Sequence, residues 1–450
     1  MNNNIFESNS IRKAYFSLAL PVVFSMVISI IYNITDTYFI ALTQNTALVA
    51  GVSLCAPVFT LLMAFGNIFG QGGSSLLSRM LGQNDQESLH RVSSFCFYAA
   101  AGFGLISGVL MLLLRTPLLY LLGADSLTFT YASSYYTWMA LGAPFVLLSF
   151  IHTNLLRSEG MSKESMIGTV GGSVANIILD PILIFGLNLG TAGAAIATIL
   201  GYIFTDLYCL GVVLHKSNAL SVDIRKCRIS SSDMHQIFGI GTSAALTNLM
   251  QSFCLILTNQ SLLLYGSDKI AVMGIVQKIS MIIMLILVGF SFGGAPLIGY
   301  YYGAANKARL KELLGFVLRF LCGIALVLSS VLIIAAPLAI RIFLKEEALV
   351  QTGVLILRTQ TAGMVFLAVV QFISIIFQST GKVVPALILS VSRQGIIFVI
   401  VLFLAVRLFG YHGILMTQFF SDAITTVLAL VLYQCSSNTI KQGLSINTSF

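Results

Sequence analysis

The chain has 450 residues, of which 57% are hydrophobic and 9% charged, and its mean hydropathy is +0.94; that leaves too little charge to clothe a soluble core of this length. The composition excludes an ordinary soluble enzyme or binding module and defines an all-α polytopic membrane protein. A net charge of +8 would suit a nucleic-acid partner, but the basic residues sit in short loops between apolar runs, which is the pattern of membrane topology.

Apolar runs divided by charged or turn-rich breaks predict twelve spanning helices. The first covers about 14–41 and carries Pro21 in its interior, a position expected to kink or hinge it. Roughly four turns further on, near the outer end, comes Tyr32-Asn-Ile-Thr-Asp36-Thr37. The second run, 47–78, holds Gly66-Asn-Ile-Phe-Gly70, a spacing that favours close helix packing. The third is 92–114. In the fourth, 127–156, Tyr131, Tyr135, Tyr136 and Trp138 form an aromatic belt from which Tyr135 and Tyr136 can line a cavity.

The fifth run, 164–187, contains the costliest residues of the chain. Asn176 and Asp180 are four apart and share one helix face, and Pro181 withholds a backbone N–H, freeing a carbonyl near Asn176–Ile177. A carboxylate at this depth costs roughly 2.5–3.5 kcal/mol, so it is expected to face a polar interior. The sixth run, 191–214, re-enters after Gly190-Thr-Ala-Gly193 and brings Thr198 to the same level, with Asp206 deeper. Two carboxylates, Asp36 and Asp180, at one level cannot both ionise cheaply. At least one is expected to hold a proton or a cation.

A polar, basic break from Lys216 to Ser232 follows, and the runs resume at 234–265, 270–301, 313–340, 348–378, 384–408 and 413–435. The expected division is residues 1–215, a linker 216–232, and residues 233–450. The two halves resemble each other at an offset of 221: Gly72-Gly73 matches Gly293-Gly294, Gly82 matches Gly303, and Ser158-x-Gly160 matches Ser379-x-Gly381. Late in each half the offset is 220, pairing Gly190 with Gly410 and Gly193 with Gly413. Six spans per copy insert both copies the same way round, which implies a pseudo-twofold axis along the membrane normal with a cavity between the halves. The repeat is asymmetric in charge, since Asp36, Asn176 and Asp180 correspond to Leu257, Ile397 and Val401. In the second half Asp422 is the candidate charged site, with Arg393 and Lys278 as alternative packing partners.

Fifteen basic residues, Lys441 among them, collect on the face that bears both termini and six on the other, which places both termini in the cytoplasm. The seven cysteines are scattered without a CxxC pair, so neither a disulfide framework nor a zinc site is expected. The N-terminus lacks the pattern of a cleaved signal peptide, and the first run is expected to persist as a span. The five histidines show no ligand spacing, and neither a nucleophile–base set nor a phosphate-binding loop is present, so no catalytic residue and no use of ATP are expected.

Several stretches together resemble one family. They are Pro21 before Asp36-Thr37, Gly72-Gly-Ser-Ser-Leu-Leu-Ser-Arg-Met-Leu-Gly82, Arg157-Ser-Glu-Gly160, Asn176-Ile-Ile-Leu-Asp180-Pro-Ile-Leu-Ile-Phe-Gly186, and Gly190 through Thr198. Lys278-Ile279 with Leu285, Gln378-Ser-Thr-Gly381 and Ser392-Arg-Gln394 extend the likeness through the second half. The pattern is similar to that of the multidrug and toxic compound extrusion (MATE) transporters, in their bacterial MepA-like and DinF-like branch. The resemblance implies a two-lobed, twelve-helix antiporter of the inner or plasma membrane. Such a protein exports cationic amphipathic drugs against H+ or Na+, confers antibiotic resistance, and works as a monomer without ATP, a nucleic acid or a cofactor. It further implies a coupling site at Asp36, Asn176, Asp180 and Thr198, with Na+ as the alternative ion at Asp36 and Asp180. The substrate cavity is assigned to Tyr32, Asp36, Tyr135, Tyr136, Asn154 and Asn176. Some members of the family carry acids in the seventh and tenth helices, where this chain has Asn248-Leu-Met-Gln251 and Ala368-Val-Val-Gln371, so coupling is expected in the first half. A flippase for lipid-linked precursors is the alternative transport reading, and a membrane receptor or intramembrane enzyme the alternative of another class. Deep acids argue against the first, and the lack of a catalytic dyad or signalling domain against the second.

Overall fold

The computed structural model describes residues 5–446, apart from the side chains of residues 267 and 437–446; Lys441 lies outside the described side chains. Among the described residues, twelve helices are long and apolar enough to cross a membrane: α1 (Ile11–Leu42), α2 (Thr46–Gln83), α3 (Gln86–Leu113), α4 (Phe129–Ser158), α5 (Ser162–Gly186), α6 (Gly190–Lys216), α7 (Ser231–Leu263), α8 (Asp268–Gly303), α9 (Lys307–Arg341), α10 (Glu347–Ser379), α11 (Val383–Phe409) and α12 (Tyr411–Ser436). Helix is the expected form, because the hydrocarbon core offers no partner for a backbone group left unbonded.

Several helices run past the apolar stretches, and caps explain where they begin. α3 starts at Gln86 because the Asp85 side chain accepts a hydrogen bond from the Ser88 N–H at 3.1 Å. Those bonds from Ser88 hold the Asp85 carboxyl below the usual carboxylate range. Asn306 caps α9 in the same way, accepting from the Arg309 N–H at 3.1 Å. The residues before the two caps, Asn84 and Ala305, both adopt a left-handed backbone, at φ 58° and 54°. The two loops thus repeat in conformation as well as in position.

The other end of each half repeats too. Gly190 and Gly410 turn the chain at φ 54° and 56°, where a side chain would be strained. Three residues on, a Cβ at Gly193 would stand 2.8 Å from the Leu183 carbonyl oxygen, and one at Gly413 1.9 Å from that of Ala405. Helices α5 and α6, and likewise α11 and α12, therefore meet backbone to backbone just past these turns.

The chain forms two compact units. Unit 1 takes the residues up to Glu7 and Phe24–Ala245; unit 2 takes Ser8–Val23 and everything from Leu246. The unit limits therefore fall inside α1 and α7 and not at 215 and 233, and close glycine contacts account for this. In unit 1 a Cβ on Gly72 of α2 would lie 2.1 Å from the Ile237 oxygen of α7, and one on Gly241 of α7 would lie 2.0 Å from the Ile68 oxygen of α2. In unit 2 a Cβ on Gly293 of α8 would lie 2.3 Å from Ala19 Cα of α1. There the Tyr15 hydroxyl donates to the Phe290 carbonyl at 2.8 Å, and Tyr15 packs edge-on against Phe316 and Phe320. α4 is the most enclosed span of unit 1 and its repeat partner α10 that of unit 2.

The segment expected to link the halves is strapped to unit 1. The Ser94 hydroxyl donates to the Ser221 carbonyl at 2.9 Å, the Ser221 N–H to Ser93 Oγ at 2.8 Å, and the Tyr98 hydroxyl to the Val222 carbonyl at 2.9 Å. Glu159 accepts from the Ser217 hydroxyl and from the Asn218 and Ala219 N–H groups. Burial nonetheless pushes its carboxyl up, outweighing those bonds and the nearby His90.

The glycine contacts set a direct expectation. Gly413→Ala should destabilise the purified protein by about 2 kcal/mol, the usual cost of overpacking. Gly323→Ala, whose added Cβ meets nothing within 4 Å, should leave thermal unfolding unchanged or slightly raised. Equal melting temperatures for the two variants would contradict the contact.

Candidate cation and proton site of unit 1

Four side chains picked out by the sequence converge inside unit 1. Asp36 comes from the part of α1 that belongs to this unit, Asn176 and Asp180 from α5, and Thr198 from α6. α5 and α6 approach closely because small residues face each other: a Cβ on Gly201 would sit 2.7 Å from the Gly172 oxygen and 3.3 Å from Asn176 Cβ. The Thr205 hydroxyl bonds the Gly168 carbonyl across the same seam at 3.1 Å. One turn further along, Asn176 Nδ2 reaches Thr198 Oγ1 at 3.4 Å.

Asp180 is fully buried and Asn176 nearly so. The carboxyls of Asp36 and Asp180 lie within hydrogen-bonding reach of each other. Among the described residues, no donor serves Asp36 Oδ1, either oxygen of Asp180, or Asn176 Oδ1. These are oxygen acceptors with nothing to accept, and leaving them so in a low-dielectric interior is costly. A proton shared between the carboxyls satisfies them, and so does a hard cation, which takes oxygen ligands. Among the described residues no group of three or more His, Cys, Asp or Glu forms a metal cluster.

Aromatic hydroxyls border the pair. Tyr32 lies beside Thr198 and within electrostatic reach of Asp36, Tyr135 and Tyr202, and Tyr135 is within electrostatic reach of both Asp36 and Asp180. Tyr136, assigned with Tyr135 to the cavity, is not brought to it. It is fully buried, its hydroxyl has no partner among the described residues, and its titratable neighbour is Cys55. Adjacent residues on a helix point about 100° apart, so only one of the two can face the acids. Asn154 also stands away from the acids: its amide donates to the Phe150 carbonyl of its own helix at 2.6 Å and lies against Gly70 of α2.

The backbone widens where α5 passes the site. Ile182–Gly186 forms a π turn directly after Pro181, closed by Leu187 N–H to the Ile182 carbonyl at 2.9 Å. The helix keeps its α form through Asp180; Pro181, having no N–H, offers no partner to the carbonyl one turn earlier, and the widening falls in the turn that follows.

In unit 2 Asp422 is paired. Arg393 Nε donates to Asp422 Oδ1 at 3.0 Å, Gln418 Nε2 to Oδ2 at 3.0 Å, and the Ser421 hydroxyl to the Arg393 carbonyl at 3.0 Å. Lys278 is exposed and is no part of this network. Both Asp422 oxygens are satisfied, unlike those of Asp180.

Sequence reasoning missed two features. Tyr202 on α6, one turn after Thr198, lies within electrostatic reach of Tyr32 and Tyr135, which border the acids, and of Asp206. The second is a buried pair in unit 1, His152 Nδ1 to Asp206 Oδ1 at 3.2 Å. Fifty-four positions separate the two residues on different helices, so no spacing signal exists. The only available hint was a histidine in the fourth apolar run and an aspartate in the sixth.

Among the described residues, twelve helices long and apolar enough to span a membrane, with a buried polar site inside unit 1, define a multi-pass membrane transporter. The description of the MatE family matches residues 21–182 and again 243–404, once in each half. The chain is 32% identical over 427 residues to the multidrug export protein MepA of Staphylococcus haemolyticus, covering 95% of this chain and 94% of that one. It is 31% identical over 444 residues to the protein of the same name from Staphylococcus aureus strain NCTC 8325, covering 99% and 97%. Its fold superposes on crystal structures of MATE in complex with MaL6 and of MATE in the bent conformation. Each has a TM-score of 0.92 at 22% identity, covering 98% and 99% of this chain and 99% of the other. The chain belongs to the MatE family: it is a transporter of the cell membrane and not an enzyme.

The paired state of Asp422 can be tested. Asp422→Ala should cost about 3 kcal/mol of unfolding free energy, because it leaves the Arg393 guanidinium buried without its partner. Lys278→Ala should stay within about 0.5 kcal/mol of the parent. Chemical denaturation in detergent reads both, and similar values would contradict the pairing.

Proposed function

We propose that this protein exports cationic, amphipathic compounds from the cell in exchange for protons that enter through Asp36 and Asp180, with Na+ as the alternative coupling ion. The observation that carries the reading is the pair of facing carboxyls, three of whose oxygens have no donor among the described residues, inside a spanning unit. Full-length likeness to MepA proteins named for multidrug export supports the substrate class. A charge of minus two in a buried site is unfavourable, so the pair holds either a proton or an external cation. The aromatic faces of Tyr32 and Tyr135 suit a flat organic cation, and neutralisation by a proton removes the charge that holds it. Drug and proton then compete for one negative charge, and that competition is the coupling. The excess of basic residues on the terminal face orients the chain with both termini in the cytoplasm, so that protons enter from outside.

Pro21 has a place in this scheme. It lies in α1 two residues before the helix passes from unit 2 to unit 1, on the same helix as Asp36. A proline there withholds one backbone bond and lets the Asp36-bearing segment bend as a body when its charge is neutralised. Worth about 2.7 kcal/mol for a change of two pH units in proton affinity, neutralisation is enough to shift a two-state helix nearly a hundredfold.

Everted vesicles loaded with a fluorescent cation test the exchange, with pH and Na+ varied separately. The parent protein should respond to a proton gradient, and Asp180→Asn should fold and express normally yet lose coupled export by at least about tenfold, since a neutral amide imitates the protonated state permanently. Near-normal drug resistance in cells with well-expressed Asp180→Asn would remove the residue from the mechanism. Pro21→Ala should still bind drug but lose pH-dependent release. Full transport with unchanged pH dependence would reduce Pro21 to a static kink.

A further inference from the structure

His152 and Asp206 are the other buried titratable pair of unit 1. They join α4 to α6, and the residues are 4% and 6% exposed. Each keeps one polar atom, His152 Nε2 and Asp206 Oδ2, that has no partner among the described residues. A pair that only fastened two helices would gain by closing those valences, as Asp422 does in unit 2.

The open side of His152 leads somewhere. Its ring lies tilted against Phe97, with centroids 5.4 Å apart. With Ser93, Ser221 and Val222 it lines a cavity of about 10 Å3 of water-sized space. That is room for roughly one water, and the serines give it polar partners. The lid of the cavity is the strap over residues 217–222, held by Ser93, Ser94 and Tyr98. On the other side the pair is tied to the acid site by the pattern of α6. Thr198, Tyr202 and Asp206 recur every four residues and so share one face. Asp206 therefore lies roughly 12 Å along the helix from the Asn176–Thr198 contact. Tyr202 is within electrostatic reach of Tyr32 on one side and Asp206 on the other.

We propose that His152 and Asp206 form a second proton-carrying station, which passes protons between the Asp36–Asp180 site and the surface beneath the strap. The inference rests on the proton-coupled reading above and assigns the route that reading requires. The resting pair is neutral, with the Asp206 proton on Oδ1 bonded to His152 Nδ1 and the ring proton on Nε2. A proton arriving from the acid side, along the α6 face that carries Tyr202, is taken by Asp206 Oδ2 as the Oδ1 proton passes to His152 Nδ1, and an imidazolium forms beside a carboxyl that stays neutral. The proton on His152 Nε2 leaves to water in the cavity, and return of the carboxyl and the ring to their starting tautomers resets the station. One proton enters and one leaves, with no net charge left on Asp206 or His152. The other titratable groups around the pair include Cys209 on α6, within electrostatic reach of Asp206, Arg157 further along α4, and at the strap Glu159, Tyr98 and His90, with Lys226 on His90.

His152→Gln and Asp206→Asn test the station in reconstituted vesicles. Both variants keep a polar side chain of similar size, but neither can relay a proton. Ethidium binding to the detergent-solubilised variants should match the parent, while proton-driven export should fall about tenfold or more and lose its dependence on the pH beneath the strap. His152→Gln with the parent pH profile and rate would overturn the proposal. Failure of both variants to fold would overturn it as well, because the pair would then be a packing element. If instead the parent protein ignores the proton gradient and follows Na+ alone, the coupling reading itself fails, which is a separate result.

Discussion

Two carboxyl groups that face each other inside a membrane, three of whose oxygens have no donor among the described residues, set the terms for the rest of unit 1. Neither can be left ionised at low cost beside the other, so the site is stable only when occupied. That requirement explains what surrounds it. The glycines of α5 and α6 bring the backbones together, so that Asn176 and Thr198 stand at the level of Asp180. The backbone widens into a π turn only after Pro181, and the α-helical geometry that carries Asp180 is kept. Asp422 of unit 2 is the counterexample, a buried acid whose oxygens are filled by Arg393 and Gln418 and which therefore has nothing to exchange.

The same constraint gives meaning to the exchange of first helices between the units. α1 starts in unit 2, anchored by Tyr15 and by the contact of Ala19 with Gly293, and delivers Asp36 to unit 1. Asp36, the residue that the proposed exchange would neutralise, thus sits on a helix that belongs to both units. α7 repeats the exchange through Gly72 and Gly241 but carries no acid at the matching place, where Leu257 stands. The fold is duplicated and the chemistry is not.

Much of this was legible in the sequence, for identifiable reasons. The twelve spans follow from apolar length, and Asn176 and Asp180 follow from a four-residue spacing that any helix places on one face. Helix ends were less legible, because Asp85 and Asn306 extend α3 and α9 beyond the apolar run by capping. Tyr135 and Tyr136 could not be separated without knowing the rotation of α4. The limits of the units were hidden because they depend on glycine contacts between helices far apart in the chain. His152 and Asp206 were hidden for the same reason, since a pair across two helices leaves no periodic trace.

The central claim is that drug and proton compete for the charge shared by Asp36 and Asp180. Proton release on drug binding measures this most directly, in purified, weakly buffered protein with a pH-sensitive dye and no gradient. The account predicts about one proton released for each cation bound, with release abolished in Asp180→Asn. Drug binding that releases no proton at any pH, and displaces Na+ instead, would contradict it.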